Sequence, residues 1–141
     1  MHTTISVLAG VATALAAQST HADVSGVYEV KYEEVSTNCT AHRLTYAPGR
    51  LEVKIKGTSL IVDIDRTPEM VGVAQKNGKV SAKSKVGGTM IDGMDGVFSV
   101  AGRITDNGML HFVMVAEYSA KGKSLCSQSW NVSGPRNAKP K

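Results

Sequence analysis

Aromatic residues are scarce in this chain: one Trp, four Tyr and two Phe among 141 residues. Cysteine is limited to two and histidine to four, which excludes a zinc cluster or a disulfide-dense mini-scaffold. No heptad pattern or long amphipathic helix is visible, so a coiled coil is excluded. Nor does any apolar stretch reach the roughly 20 residues that span a bilayer as a helix. Common catalytic motifs are missing as well: there is no Gly-x-Ser-x-Gly, no His-Glu-x-x-His and no phosphate-cradling glycine loop. What remains is 42% hydrophobic and 20% charged residues, with 16 Lys+Arg against 12 Asp+Glu. That balance fits one soluble globular domain, not two, and not a disordered tail.

Residues 1–22 differ from the rest. Ile5 to Ala17 is apolar or small and uncharged, and Gln18-Ser19-Thr20-His21 then leads to Ala22. Small residues at Thr20 and Ala22 suit a signal-peptidase site before Asp23, so a helical, cleaved signal peptide is expected, against the alternative of a buried N-terminal helix. Met1-His2-Thr3-Thr4 lacks the usual Lys or Arg, and no Cys follows the apolar run closely enough for lipid anchoring. Export to a periplasmic or secreted location would place Cys39 and Cys126 in an oxidising compartment. Their expected fate is a disulfide, whose loop would contribute about 4.6 kcal/mol in the chain-entropy model. A metal pair or a catalytic thiol is the alternative, though no His or Cys stands at ligand spacing.

Past the leader, apolar and polar residues alternate, and glycine-bearing turns recur every 8–12 positions, which predicts an all-β meander, sandwich or barrel. Gly57-Thr58 pairs Ile55 with Leu60 and Val53 with Val62, while Asn77-Gly78 predicts a two-residue type I′ turn pairing Val73 with Ala82 and Gln75 with Val80. A three-residue loop at Asp106-Asn107-Gly108 sets Gly102 opposite Phe112 and Val100 opposite Met114. Another at Lys121-Gly122-Lys123 sets Tyr118 opposite Cys126 and Met114 opposite Trp130. The resulting strands run near 25–34, 50–56, 59–65, 69–75, 79–85, 97–105, 109–118 and 124–133, and His42–Tyr46 could be extended as a ninth. Eight sequential strands leave two exposed edges unless they close, and a Cys39–Cys126 bridge would pin the first strand to the last. An antiparallel up-and-down barrel over 23–134 is therefore expected, with a flexible basic tail at 135–141.

Small inward residues and a few polar ones (Gln75, Ser84, Tyr118, Gln128) favour a partly open lumen, and walls that simply meet are the alternative. The expected lining is Tyr28, Tyr32, Val73, Ala82, Phe98, Val100, Phe112, Met114 and Trp130. Residues 86–96, with Met90, Ile91 and Met94, read as a flap over the mouth or an ordinary crossover. Calcium binding there fails on spacing, since the closing Glu of an EF-hand loop is missing. His111 should face outward opposite Arg103 as a surface neighbour. The row Lys76, Lys79, Lys83, Lys85 suits an acidic partner, an anionic lipid surface or the guarding of a sheet edge. Nucleic acid is not expected, because no aromatics interleave with those charges.

Ser25-Gly26-Val27-Tyr28 resembles the Gly-x-Trp opening of the lipocalins, and Arg136 resembles their closing basic residue; Tyr28 stands where that family has Trp. The resemblance, to the calycin group of small β-barrels, implies carriage of a hydrophobic ligand. Small bacterial inhibitors of proteases and lysozymes have a similar shape and act through loops. The leading expectation is thus an exported, monomeric, non-catalytic carrier of a small apolar or amphipathic ligand, without cofactor, metal or stable membrane insertion. A protein-binding module such as an enzyme inhibitor, using loops 36–49 and 86–96 and the lysine face, is the alternative, and an enzyme is a third.

Overall fold

The computed structural model describes residues 23–41 and 43–137. The leader expected over 1–22, His42, and residues 138–141 of the expected tail lie outside them. Nine strands follow one another: β1 (Gly26–Thr37), β2 (Gly49–Lys56), β3 (Ser59–Ile64), β4 (Met70–Ala74), β5 (Lys79–Ser84), β6 (Gly87–Gly88), β7 (Asp95–Ile104), β8 (Met109–Ala120) and β9 (Lys123–Pro135). All pair antiparallel in one sheet; β1 pairs both β2 and β9, and β5 pairs β7, so the sheet closes into a ring. The eight expected strands are the ring. The added one, β6, is a two-residue stub that pairs β7 beyond the end of β5.

Alternation positions the core because successive strand residues face opposite sides. On β7 to β9, Phe98, Val100, Phe112, Met114, Trp130 and Val132 turn inward and are buried in one cluster with Leu51, Val53, Leu60, Val62 and Met70 from β2 to β4. Gly72 and Gly134 keep the wall tight: a β-carbon at either would fall 1.8 Å from a carbonyl oxygen of the neighbouring strand.

Two hairpins carry the anticipated registers without change, Val53 opposite Val62 and Val100 opposite Met114. The Asn77-Gly78 hairpin does not. Val73 pairs with Ser81 and Gly72 with Ala82, so the loop is Lys76-Asn77-Gly78, with Gly78 alone at positive φ. Gln75 N–H donates to Lys79 O, closing a three-residue loop in place of the two-residue turn. A slip of one residue exchanges faces. Val73 is accordingly 49% exposed on the outer wall, and Gln75 stands outside with it. The last hairpin reaches its expected register by another route. Lys121 and Gly122 form a two-residue turn, both at positive φ, and Leu125 is bulged out so that Tyr118 still opposes Cys126.

Cys39 and Cys126 form a disulfide with Cα atoms 5.1 Å apart, at the seam where β1 meets β9. The bridge therefore crosses the joint that closes the ring, and is compatible with an oxidising compartment. Residues 43–48 form no strand, contrary to the ninth expected at 42–46. At the C-terminal side the barrel outlasts its expected limit at 134: β9 runs to Pro135, Arg136 N–H donates to Gly108 O, and Asn137 N–H donates to Val27 O.

Candidate functional site at the loop end

In an up-and-down ring, alternate connections share an end. The short turns 57–58, 76–78 and 105–108 mark one end, together with both described termini; the segments 38–48, 65–69, 85–94 and the disulfide mark the other. The first end is plugged by Tyr28. Its hydroxyl donates to Val24 O at 2.8 Å and accepts from Arg136 Nε at 3.1 Å, while the guanidinium lies 5.5 Å from the ring centroid.

The second end is capped by segment 38–48, which Gln128 holds down. This side chain is 2% exposed, and its amide is fully used: Nε2 donates to Leu44 O and to Glu34 Oε2, both at 2.8 Å, and Oε1 accepts from Leu44 N at 3.1 Å and Tyr118 Oη at 2.6 Å. Arg43 lies 3.9 Å from the Glu34 carboxylate. Leu44 is thereby driven into the core, and Tyr46 packs at 4.9 Å from Tyr32 and edge-on at 5.3 Å from Trp130. The 86–96 segment is likewise folded inward. Met94 is buried, Ile91 packs on the core, and Thr89 Oγ1 donates to Met94 O.

The expected lumen lining divides under this geometry. Tyr28, Ala82, Phe98, Val100, Phe112, Met114 and Trp130 are buried at 0–6% exposure, with side chains packed in the core cluster. A lumen large enough for a ligand would leave probe-sized free surface on such residues, even if enclosed. The inward polar groups are also taken: Ser84 Oγ donates to Lys85 O and accepts from Phe98 N, where the break between β5 and β6 leaves that amide without a ladder partner. Val73 faces outward. Of the nine residues, Tyr32 alone borders a described groove.

That groove, about 590 Å³, runs along the rim between segment 45–50 and the β3–β4 connection. Tyr32, Tyr46, Ile64 and Met90 are among its apolar lining. Arg50, Glu52, Asp63, Asp65 and Arg66 supply both signs of charge. Arg50 pairs with Glu52 at 3.4 Å and Lys54 with Asp63 at 3.9 Å, while Arg66, among the described residues, reaches only the Met90 sulfur, at 3.8 Å. Arg66 sits at φ 64°, in a turn closed by Thr67 N–H to Ile64 O, a position that glycine fills without strain. A second groove, about 620 Å³, lies across Arg66 and Met90 against Gly87–Thr89.

Burial raises the phenols of Tyr32 and Tyr46 above their ordinary range; the neighbouring Tyr46 adds to the shift of Tyr32, and a hydrogen bond shared with Thr67 Oγ1 (2.9 Å) partly offsets that of Tyr46. Both remain neutral at physiological pH. No His, Ser or Cys lines the rim groove, and no group of three or more His, Cys, Asp or Glu converges as a metal site among the described residues. The groove offers rings, a thioether and charges of both signs.

Tyr46, Leu44 and Arg66 are functional candidates that alternation does not reveal, because each lies in a connection outside the strand pattern. Compared with family models, curated proteins and solved structures, the chain matches none.

Proposed function

We propose that this chain is an exported, non-catalytic binding module that recognises a partner protein through the rim groove at its loop end, as a small enzyme inhibitor does. The observation that carries this reading is the contrast between interior and rim. Inside, aliphatic and aromatic side chains pack on one another and the buried polar groups Ser84, Tyr118 and Gln128 satisfy one another or the backbone. At the rim, Tyr46, Met90, Arg50 and Arg66 border open space. Tyr, Met and Arg are side chains that interfaces favour: Tyr contributes contact area with few immobilised torsions, Met an adaptable polarizable surface, and Arg several donors.

Carriage in the lumen, the function that the lipocalin resemblance implies, draws support from the packing of Arg136 on Tyr28. It would require displacement of core side chains. The test is site-specific photo-crosslinking in the organism that makes the protein, with the reactive residue at Met90 or at Ile55 on the opposite end. A discrete protein adduct from Met90 and none from Ile55 is expected. Equal adducts from both sites, or none from Met90, would overturn the reading.

A further inference from the structure

On the outer wall, β5, β7 and β8 bring a lysine, an arginine and a histidine into one cross-strand row. Lys79 on β5 stands directly opposite Arg103 on β7, and Arg103 opposite His111 on β8. His111 in turn opposes Ser133, whose other neighbour is Lys31 on β1, so the row continues around the barrel. Like charges directly opposed on a sheet are destabilising. Here nothing in the wall relieves them. The segments 70–75, 79–84, 99–104 and 110–115 contain no Asp or Glu, and the side chains of Lys79, Arg103 and His111 form no ion pair or hydrogen bond among the described residues. The nearest acid in sequence is Asp106, in the β7–β8 turn.

The edge-guarding role open to these lysines from the sequence does not apply, because β5 is paired on both sides. Instead the row borders a groove of about 460 Å³, where Ser81 and Ala101, both short, leave a trough between the longer side chains of Gln75, Lys79, Arg103 and His111. Arg supplies a planar fork of donors suited to an oxyanion, Lys a mobile point charge, and His and Gln further N–H donors.

We propose that this wall groove is an anion-binding site, separate from the rim groove, that takes a phosphate-class oxyanion between Lys79 and Arg103 with His111 and Gln75 at its sides. The bound anion replaces the repulsion across β5 and β7 with two charge-assisted contacts. Binding to the folded chain alone must then raise its unfolding midpoint.

The experiment uses the disulfide-bonded chain and pyrophosphate as probe, against chloride at matched ionic strength. The wild type should gain about 4 °C at saturation. Arg103→Glu and Lys79→Glu should lose the gain, and Arg103→Glu should itself melt higher than wild type without the probe, since the introduced carboxylate would face Lys79. Arg103→Gln should lose the gain without that rise. Lys56→Glu, with the same charge change on β2, should keep it. A second arm sediments the chain with vesicles of phosphatidylglycerol in phosphatidylcholine. Arg103-dependent binding to vesicles without a pyrophosphate gain assigns the phosphate to a lipid headgroup; a pyrophosphate gain assigns it to a soluble ligand. No response in either arm, or equal loss in Lys56→Glu, would overturn the site.

Discussion

Arg136 lies over the ring of Tyr28 and donates from Nε to its hydroxyl at 3.1 Å, joining the last described residues of the chain to its first strand. The same guanidinium donates from Nη2 to Asp23 O at 2.9 Å, so one side chain ties the two ends of the described chain across the plugged end. Tyr28→Phe keeps the ring and removes the hydroxyl, leaving Val24 O without its donor. A loss of about 1–2 kcal/mol is expected, read as a lower urea midpoint with unchanged slope. An unchanged midpoint would show that the phenol is not part of the plug.

Gln128 is the fastening of the opposite end. Gln128→Leu preserves volume but strands the Leu44 amide and carbonyl and the Tyr118 hydroxyl, costing about 2–4 kcal/mol. The backbone amide of Leu44 should lose its protection from hydrogen exchange well before the amides of β8 do. Equal loss across both would mean the cap and barrel open together.

How much of this was legible in the sequence follows from which faces differ. Leu51, Val53 and Val62, or Phe98, Val100 and Phe112, stand out because each has a polar or small neighbour on the opposite face, and period-2 alternation records that difference. Turn chemistry was less readable. Asn77-Gly78 suits a tight type I′ turn, yet Gly72 must sit where a β-carbon would strike the Ser81 carbonyl, and inward placement of Met70 and Gly72 needs the longer loop. The bulge at Leu125 is a single inserted residue with no signature of its own. Disulfide pairing followed from count alone. The rim groove was legible in part: loops 36–49 and 86–96, which carry Tyr46 and Met90, read as an alternative binding surface, whereas Arg66 belongs to an irregular segment whose placement depends on one left-handed residue.

Arg66 holds a conformation that costs a non-glycine residue about 1 kcal/mol. Arg66→Gly should therefore raise the unfolding free energy by about that amount while reducing the Met90 adduct at least several-fold. A variant that is stabilised and crosslinks as well as wild type would remove Arg66 from the recognition surface.

Alkaline titration tests the buried phenols. Tyr32 and Tyr118 are pushed up from an ordinary value of 10.0, chiefly by burial, and Tyr28 and Tyr46 move the same way. Below pH 10 these phenols are neutral in both folded and unfolded chains. Above it the unfolded chain releases protons that the barrel retains, so stability falls as pH rises. Tyrosinate absorbance at 295 nm should appear together with loss of the near-ultraviolet dichroism, in one transition. Smooth ionisation near pH 10 in a folded barrel would contradict the burial of these rings.

The most direct measurement is titration of the folded chain with cis-parinaric acid, an apolar fluorescent probe, followed through the emission of the single Trp130 inside the barrel. If the interior is filled by its own side chains and recognition belongs to the rim, no saturable, displaceable binding will be seen at micromolar probe. One-to-one saturation with energy transfer from Trp130 would show a lumen that admits a ligand, and would contradict the account.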